Sequence, residues 1–179
     1  MSEMAPEERE EILDRAQQKA TSYQFEFRGC GQTVFYALQE VLNLSDNPDA
    51  FKAANYLGYG IAREMDFCGA LMGGLMAIGL ASGRSSLDEP LYADAKDADP
   101  ATGVAPSLSK VRELYQKFVD KYGGTTCRAL QENTFEKVYE LADPKQSSIF
   151  SEVHGEDCAE VAGQVARWSA EVILDIPRR

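Results

Sequence analysis

Four cysteines are the residues of this chain best suited to chemistry, and they share one kind of local setting. Each is predicted to lie in the first turn of a helix: Cys30, Cys68, Cys127 and Cys158. Asp66 is a candidate N-cap ahead of the second cysteine, and Thr125 or Thr126 can cap the helix of the third. A helix N-terminus carries unpaired N–H groups and about half a positive charge, which lowers the pKa of a thiol and favours the thiolate. Because the thiolate binds metals and attacks disulfides, the pattern predicts that the four cysteines converge on one redox or metal site.

The spacing of the cysteines leaves the type of site open. It matches neither the paired CxxC motifs of zinc modules nor the compact cysteine run of bacterial ferredoxins. An iron–sulfur cluster for electron transfer, metal-free thiol–disulfide exchange, and a structural zinc ion held by four cysteines are all compatible with it. In a fourth interpretation the cysteines only pack in the core, since cysteine is among the most buried residue types.

A row of small residues accompanies the second cysteine. Gly69, Gly73 and Ala77 repeat every four residues along the apolar segment 67–80. Such a row lets another backbone or a bulky group approach closely, so Gly69 and Gly73 are expected to leave room for an inorganic core, although close helix packing alone also explains them. Three arginines are candidates to tune the potential of such a centre: Arg28, Arg63 and Arg128.

Other catalytic patterns are sparse in the sequence. The only histidine, His154, stands near Cys158 and could be a ligand or a proton donor, but a histidine at the solvent edge is favoured. The sequence has no recognisable Ser-His-Asp set, no P-loop, no GxGxxG after a strand and no CxxCH haem-attachment motif. No pattern names a substrate, so the sequence leaves open whether the protein is an oxidoreductase or an electron-transfer protein without a substrate of its own.

Charge and hydropathy restrict the partners. A formal net charge of −11 argues against binding to nucleic acid or to an anionic membrane surface. The longest apolar stretch, residues 67–81, is too short for a membrane helix, and the opening residues do not form a secretory signal. The expected compartment is the cytoplasm, where reducing conditions favour thiol ligands or redox thiols over permanent disulfides. The sequence names no redox partner, and an apolar helix face allows a homodimer.

Hydrophobic periodicity predicts an all-α fold, a compact single-domain bundle of about six to seven helices spanning residues 1–179. Helices are expected at residues 6–23, 30–42, 48–57, 67–80, 107–122, 126–131 and 156–174, with a further turn or two at 135–141. Asn47 is a plausible cap for the third of these helices. Residues 1–28 then form an N-terminal helix and lead-in, residues 30–174 the four-cysteine core, and residues 82–106 a polar surface loop.

The order of these features resembles the redox-active protein family named for the cysteine pattern C_GCAxxG_C_C. Its central CGAxxG motif is present as Cys68-Gly69-Ala70-Leu71-Met72-Gly73. The other cysteines stand at its first, third and fourth positions: Cys30, Cys127 and Cys158. The resemblance covers roughly residues 30–174, and the stretch 87–106 is longer than the family pattern needs.

The resemblance implies an α-helical bacterial or archaeal protein with a redox role, often associated with transport. A related four-cysteine region lies beside the haems of split-Soret cytochromes, where an iron–sulfur centre is present. This chain has no haem-attachment motif, so only the non-haem part of that likeness carries over. Together, the residues and the resemblance rank an iron–sulfur or metal redox site first, disulfide redox chemistry second, structural zinc third and packing alone last.

Overall fold

The computed structural model describes residues 4–89, 105–135 and 137–176. Over these ranges the chain forms seven α-helices and one 3-10 turn, and no strand is present, which confirms the all-α bundle expected from the sequence. The helices are α1 (Pro6–Phe27), α2 (Cys30–Val41), α3 (Pro48–Ala53), α4 (Gly69–Ser82), α5 (Pro106–Tyr122), α6 (Cys127–Thr134) and α7 (Pro144–Asp175), with the 3-10 turn (Asn55–Leu57) after α3.

The helix starts follow the local sequence closely. Pro6 opens α1 with acidic residues in its first turn, where the fixed φ of proline and the helix dipole both favour them. Asn47 caps α3 as expected, because its side chain accepts a hydrogen bond of 3.0 Å from the backbone N–H of Ala50. Thr126 does the same for α6 by accepting from the backbone N–H of Ala129. Gly123 ends α5 in the left-handed conformation that glycine adopts at no steric cost.

Helix α4 lies at the centre of the bundle. It is apolar nearly all round, as the sequence predicts, and it packs against both α2 and α7, while α1 lies along α7 over a long contact. The α1–α7 approach is close at Gly163, where an added Cβ would collide with the Thr21 hydroxyl and lie 2.9 Å from the carbonyl oxygen of Gln17. The core is therefore shared by four helices, α1, α2, α4 and α7.

Two predictions differ from the structure by more than a few residues at a helix end. No helical turn forms over the described part of residues 135–141, because the buried side-chain carbonyl of Gln131 accepts a hydrogen bond from the backbone N–H of Tyr139 and holds the segment in an irregular path. The last helix starts at Pro144 rather than at residue 156. Its N-cap is Asp143, whose carboxylate accepts from the backbone N–H groups of Lys145 and Gln146.

Most of the predicted polar loop at residues 82–106 lies outside the described residues. Its first residues leave α4 at Ser82, and its end enters α5 at Pro106. No helix within the described ranges is long and apolar enough to cross a membrane.

Candidate four-cysteine site

The structure brings all four cysteines to one cavity. Its volume is about 40 Å³, more than the roughly 10–15 Å³ that one buried water needs. All four residues are free thiols. Each comes from a different element, so the cavity exists only because the bundle folds. The thiols line it together: Cys30, Cys68, Cys127 and Cys158.

Three of the cysteines lie at helix starts, as the sequence predicts. Cys30 is the first residue of α2 and Cys127 the first of α6, whereas Cys68 is itself the N-cap of α4. The prediction that Asp66 caps this helix is therefore wrong, since the helix begins at Gly69. The Asp66 carbonyl instead accepts a hydrogen bond from the backbone N–H of Cys127.

A short backbone pairing holds the second and third cysteines side by side. Residues 65–68 run antiparallel to residues 125–128, with a single β-bridge between Phe67 and Thr126. The backbone N–H of Cys68 donates to the carbonyl of Thr125 at 2.8 Å, and that of Cys127 donates to the carbonyl of Asp66 at 2.8 Å. This pairing fixes the starts of α4 and α6 to each other without any contact between the sulfurs.

Cys158 lies within the bounds of α7 but in the first turn after a break in that helix, which agrees with its predicted place in a first turn. The helix is interrupted one turn earlier, at His154, where φ −117° and ψ 17° are not helical. The His154 ring stacks on Phe135 at 4.3 Å between centroids, and its Nδ1 lies 2.8 Å from a carboxylate oxygen of Asp157. The ring is largely enclosed by aromatic side chains rather than standing at the solvent edge, and it does not line the cavity.

The two glycines expected to make room for the site have different surroundings. Gly69 lines the cavity, and a Cβ added there would stand 2.6 Å from the sulfur of Cys30. Gly73 is not part of the cavity wall, because the backbone carbonyl of Gly31 fills the space where its side chain would be. Gly73 thus serves the close approach of α2 to α4.

The expected lowering of the thiol pKa values is wrong, because burial outweighs the helix N-termini. Desolvation raises the pKa of all four cysteines: that of Cys127 to about 12, those of Cys68 and Cys158 well above the range of an ordinary thiol, and that of Cys30 above its ordinary value. Backbone N–H groups at the start of α4 oppose this rise. Those of Ala70 and Leu71 lower the pKa of Cys68, and that of Ala70 also lowers the pKa of Cys30. Without a metal the four groups are neutral thiols at pH 7.

Two glutamines in the site were missed by the sequence analysis. Gln131 is fully buried, and its side-chain amide donates to the sulfur of Cys127 at 3.9 Å. Gln24 lines the cavity at 4% exposure, and its carbonyl accepts from the hydroxyl of Thr33. The Gln24 amide nitrogen has no hydrogen-bond partner among the described residues. Its position on the buried stripe of α1, four residues after Ala20, is the signal that could have found it.

Comparison with known proteins places the chain in a family. Residues 29–172 match the family described as "Putative redox-active protein (C_GCAxxG_C_C)". The chain belongs to this family. It is also 30% identical over 123 residues to an uncharacterized protein of Archaeoglobus fulgidus, a match that covers 69% of this chain and 78% of that protein. No solved structure matches the chain.

The region that matches the C_GCAxxG_C_C family begins just after α1, yet α1 and its C-cap supply part of the cavity wall. Gln24 and Arg28 both line the cavity and both precede residue 29, where the match begins. The wall around the four family cysteines is therefore completed by side chains from a helix outside the matched region.

Only one of the three arginines predicted to tune the potential of a redox centre lines the cavity. Arg63 donates to the hydroxyl of Ser147 at 2.5 Å and stacks on a tyrosine ring. Arg128 is paired with Glu140 through both carboxylate oxygens. Neither lines the cavity, whereas Arg28 does.

A left-handed stretch of backbone covers another part of the cavity. The five consecutive residues 59–63 all have positive φ, from 52° to 74°, and Met65 follows with 60°. Isolated left-handed residues other than glycine cost about 1–2 kcal/mol each, so such a run is held by its surroundings. Tyr59 and Gly60 line the cavity, and the backbone N–H of Tyr59 is one of the groups that opposes the raised pKa of Cys30.

Proposed function

We propose that the four cysteines hold an iron–sulfur cluster and that the protein transfers single electrons. Membership of a redox-active family supports the general role. The observation that carries the specific proposal is the convergence of four thiols on one enclosed cavity: Cys30, Cys68, Cys127 and Cys158. Four cysteine thiolates are the usual ligand set of such clusters.

Four cysteine thiolates are the ligand set of structural zinc as well as of iron–sulfur clusters. Within the described residues no group of three or more histidine, cysteine or acidic side chains is already placed to hold one metal ion. Zinc has no redox chemistry of its own, so membership of a redox-active family favours a cluster over a zinc ion.

Only Cys68 is fully buried, but the raised pKa values of all four thiols support a bound centre over free thiol chemistry. A disulfide exchange reaction needs an accessible thiolate, but desolvation raises the pKa of each cysteine here. Metal ligation removes the thiol proton and places a positive charge beside the sulfur, so it compensates the desolvation that raises the thiol pKa. When bound, the cluster would supply the one-electron couple. The protein's own groups would hold and shield it, and hydrogen bonds such as that from Gln131 to Cys127 lower the charge density on sulfur.

Anaerobic purification and reconstitution with iron and sulfide test the proposal. We expect a coloured protein with stoichiometric iron and acid-labile sulfide and a reversible one-electron redox couple. Single Cys→Ser variants at positions 30, 68, 127 and 158 are expected to lose iron, whereas Ser151→Ala, a change in the cavity wall that removes no thiol, is expected to retain it. Colourless, iron-free protein after anaerobic reconstitution would refute the proposal.

Metal-free thiol–disulfide redox chemistry is the second candidate. It is favoured by the mutual proximity of the thiols, because a negative charge on one raises the pKa values of others across the cavity. Alkylation followed by mass spectrometry at defined thiol–disulfide potentials tests it. Cysteines whose alkylation is the same across the whole potential range would exclude this chemistry. Stoichiometric zinc in the native protein, with no redox response, would point instead to a structural metal.

A further inference from the structure

Arg28 occupies an unusual backbone conformation at the edge of the cavity. It is the C-cap of α1, with φ 62° and ψ 179°, a region that is populated almost entirely by glycine. An arginine persists in such a conformation only where its surroundings hold it. Its guanidinium lies directly against Gly155, where an added Cβ would stand 2.5 Å from one terminal nitrogen and 2.9 Å from the other. Both residues line the four-cysteine cavity.

The Arg28 guanidinium has no counter-charge among the described residues. It forms no side-chain hydrogen bond or ion pair there, and its only polar contact within the described ranges is a cation–π contact with the ring of Phe25 at 5.7 Å. Three other arginines of the bundle, Arg9, Arg128 and Arg167, are paired with carboxylates, whereas Arg63 contacts only a hydroxyl and a tyrosine ring. A partly buried cation without an anion is costly, so a negatively charged partner is expected nearby.

We propose that Arg28 is the charge-compensating residue of the four-cysteine centre and raises its reduction potential. The inference rests on the proposed function, because the missing anion is then the cluster with its four thiolates. When an external one-electron donor reduces the centre, the centre gains one negative charge and loses none of its ligands. A cation in the wall stabilises this reduced state more than the oxidised one, since the attraction grows with the charge of the centre.

The geometry explains why this position requires both residues. Gly155 leaves the space in which the guanidinium lies, at the turn of α7 that follows the break at His154 and precedes Cys158. A side chain at Gly155 would displace the guanidinium without removing its charge. The two changes Arg28→Gln and Gly155→Ala therefore perturb the same interaction by different means.

Potentiometric titration of the reconstituted protein tests the proposal, with iron and sulfide content measured in parallel. We expect Arg28→Gln to change the ratio of oxidised to reduced centre at a fixed potential by at least tenfold in favour of the oxidised form, a shift of about 59 mV to lower potential for one electron. Gly155→Ala should shift the potential in the same direction, and Arg28→Lys should restore part of it. The control is Arg112→Gln, which removes one positive charge from an exposed position of α5 and should leave the potential nearly unchanged.

A second measurement separates charge compensation from a packing role. In the loaded protein Arg28→Gln should lower the thermal midpoint, but in the metal-free reduced protein it should leave the midpoint unchanged or raise it, because the cation then has no anion. Equal losses in both forms, or a potential shift no larger than that of Arg112→Gln, would overturn the inference. A wild-type protein without any redox couple refutes the proposed function first, and the inference falls with it.

Discussion

Two glycines of α4 provide a test of the packing that positions the cysteines. Gly73 faces α2, and a Cβ added there would stand 3.0 Å from the carbonyl carbon of Gly31 and closer still to the carbonyl oxygen. Gly79 lies two turns further along the same helix and is exposed, with no atom within 4 Å of an added Cβ. Alanine at the two positions therefore has the same effect on helix propensity, but only the change at Gly73 disturbs the packing.

The size of each effect follows from these surroundings. Replacing an interior helical glycine with alanine gains about 1 kcal/mol of helix propensity. Gly79→Ala should realise this gain, and a chain of this size then unfolds about 2–4 °C higher. Gly73→Ala gains the same amount but adds an overpacking cost of about 1–3 kcal/mol, and the high end applies because a backbone carbonyl cannot move aside as a side chain does. We expect a net loss of about 2 kcal/mol and a midpoint roughly 4–8 °C lower.

Thermal and urea denaturation of the reduced, metal-free variants measure both changes. The metal-free state is the appropriate one, since ligand binding would add its own stabilisation. Gly73→Ala should also weaken reconstitution of any centre, because it separates the helix that begins at Cys30 from the helix that Cys68 caps. The reasoning is refuted if Gly73→Ala and Gly79→Ala stabilise the protein equally.

Four further predictions concern stability. Ser169 is fully buried, and its hydroxyl has no hydrogen-bond partner among the described residues, so Ser169→Ala should raise the free energy of unfolding by about 1 kcal/mol. By contrast, Thr33→Val should lower it by about 1 kcal/mol in the same urea titration, because the buried carbonyl of Gln24 loses its donor. Thr126→Ala, which removes the N-cap of α6, should cost about 1 kcal/mol, and Thr126→Ser should recover most of it; equal stability of the two variants would contradict the capping role. The pKa of Cys127 is about 12 in the folded protein and about 8.5 in an unfolded chain, so the unfolded state loses this proton first. The free energy of unfolding of the metal-free protein should therefore fall as the pH rises from about 8.5 toward 12, and constant stability between pH 8 and pH 10 would contradict it.

Local sequence signals predicted the helices and most of the site. The spacing of apolar residues gives the buried stripes of the helices, and the turn residues Asn47, Thr126 and Gly123 mark ends that the structure confirms. The start of α7 was missed although Asp143 followed by Pro144 is a good helix-start signal, because residues 145–153 have a polar composition that conceals the period. Three of the four cysteines lie at helix starts for the same local reasons, and Cys158 lies in the first turn after the break in α7.

The thiol pKa values could not be predicted from local sequence, because they depend on burial by distant elements. A helix N-terminus stabilises a nearby negative charge by about 0.3–1 kcal/mol, less than one pKa unit, whereas full burial can raise the pKa of an acidic group by 3–5 units. Which effect dominates at Cys68 is decided by α6 and α7, which enclose it from other parts of the chain. The same applies to Arg28, whose side chain meets Gly155 across more than a hundred residues of sequence.

The cavity is built by contacts that do not pass through sulfur. Gly73 on Gly31 sets α4 against α2, and the pairing of residues 65–68 with 125–128 sets α4 against α6. The shape of the site is therefore expected to exist in the metal-free protein, with four neutral thiols around it. Under the proposed function, loading removes four protons and leaves an anion, so the charge of the centre changes far more than the shape of the wall. Changes at the packing glycines should then affect both forms alike, whereas a change at Arg28 should distinguish them, and this contrast tests whether fold and redox chemistry are supported by separate sets of residues.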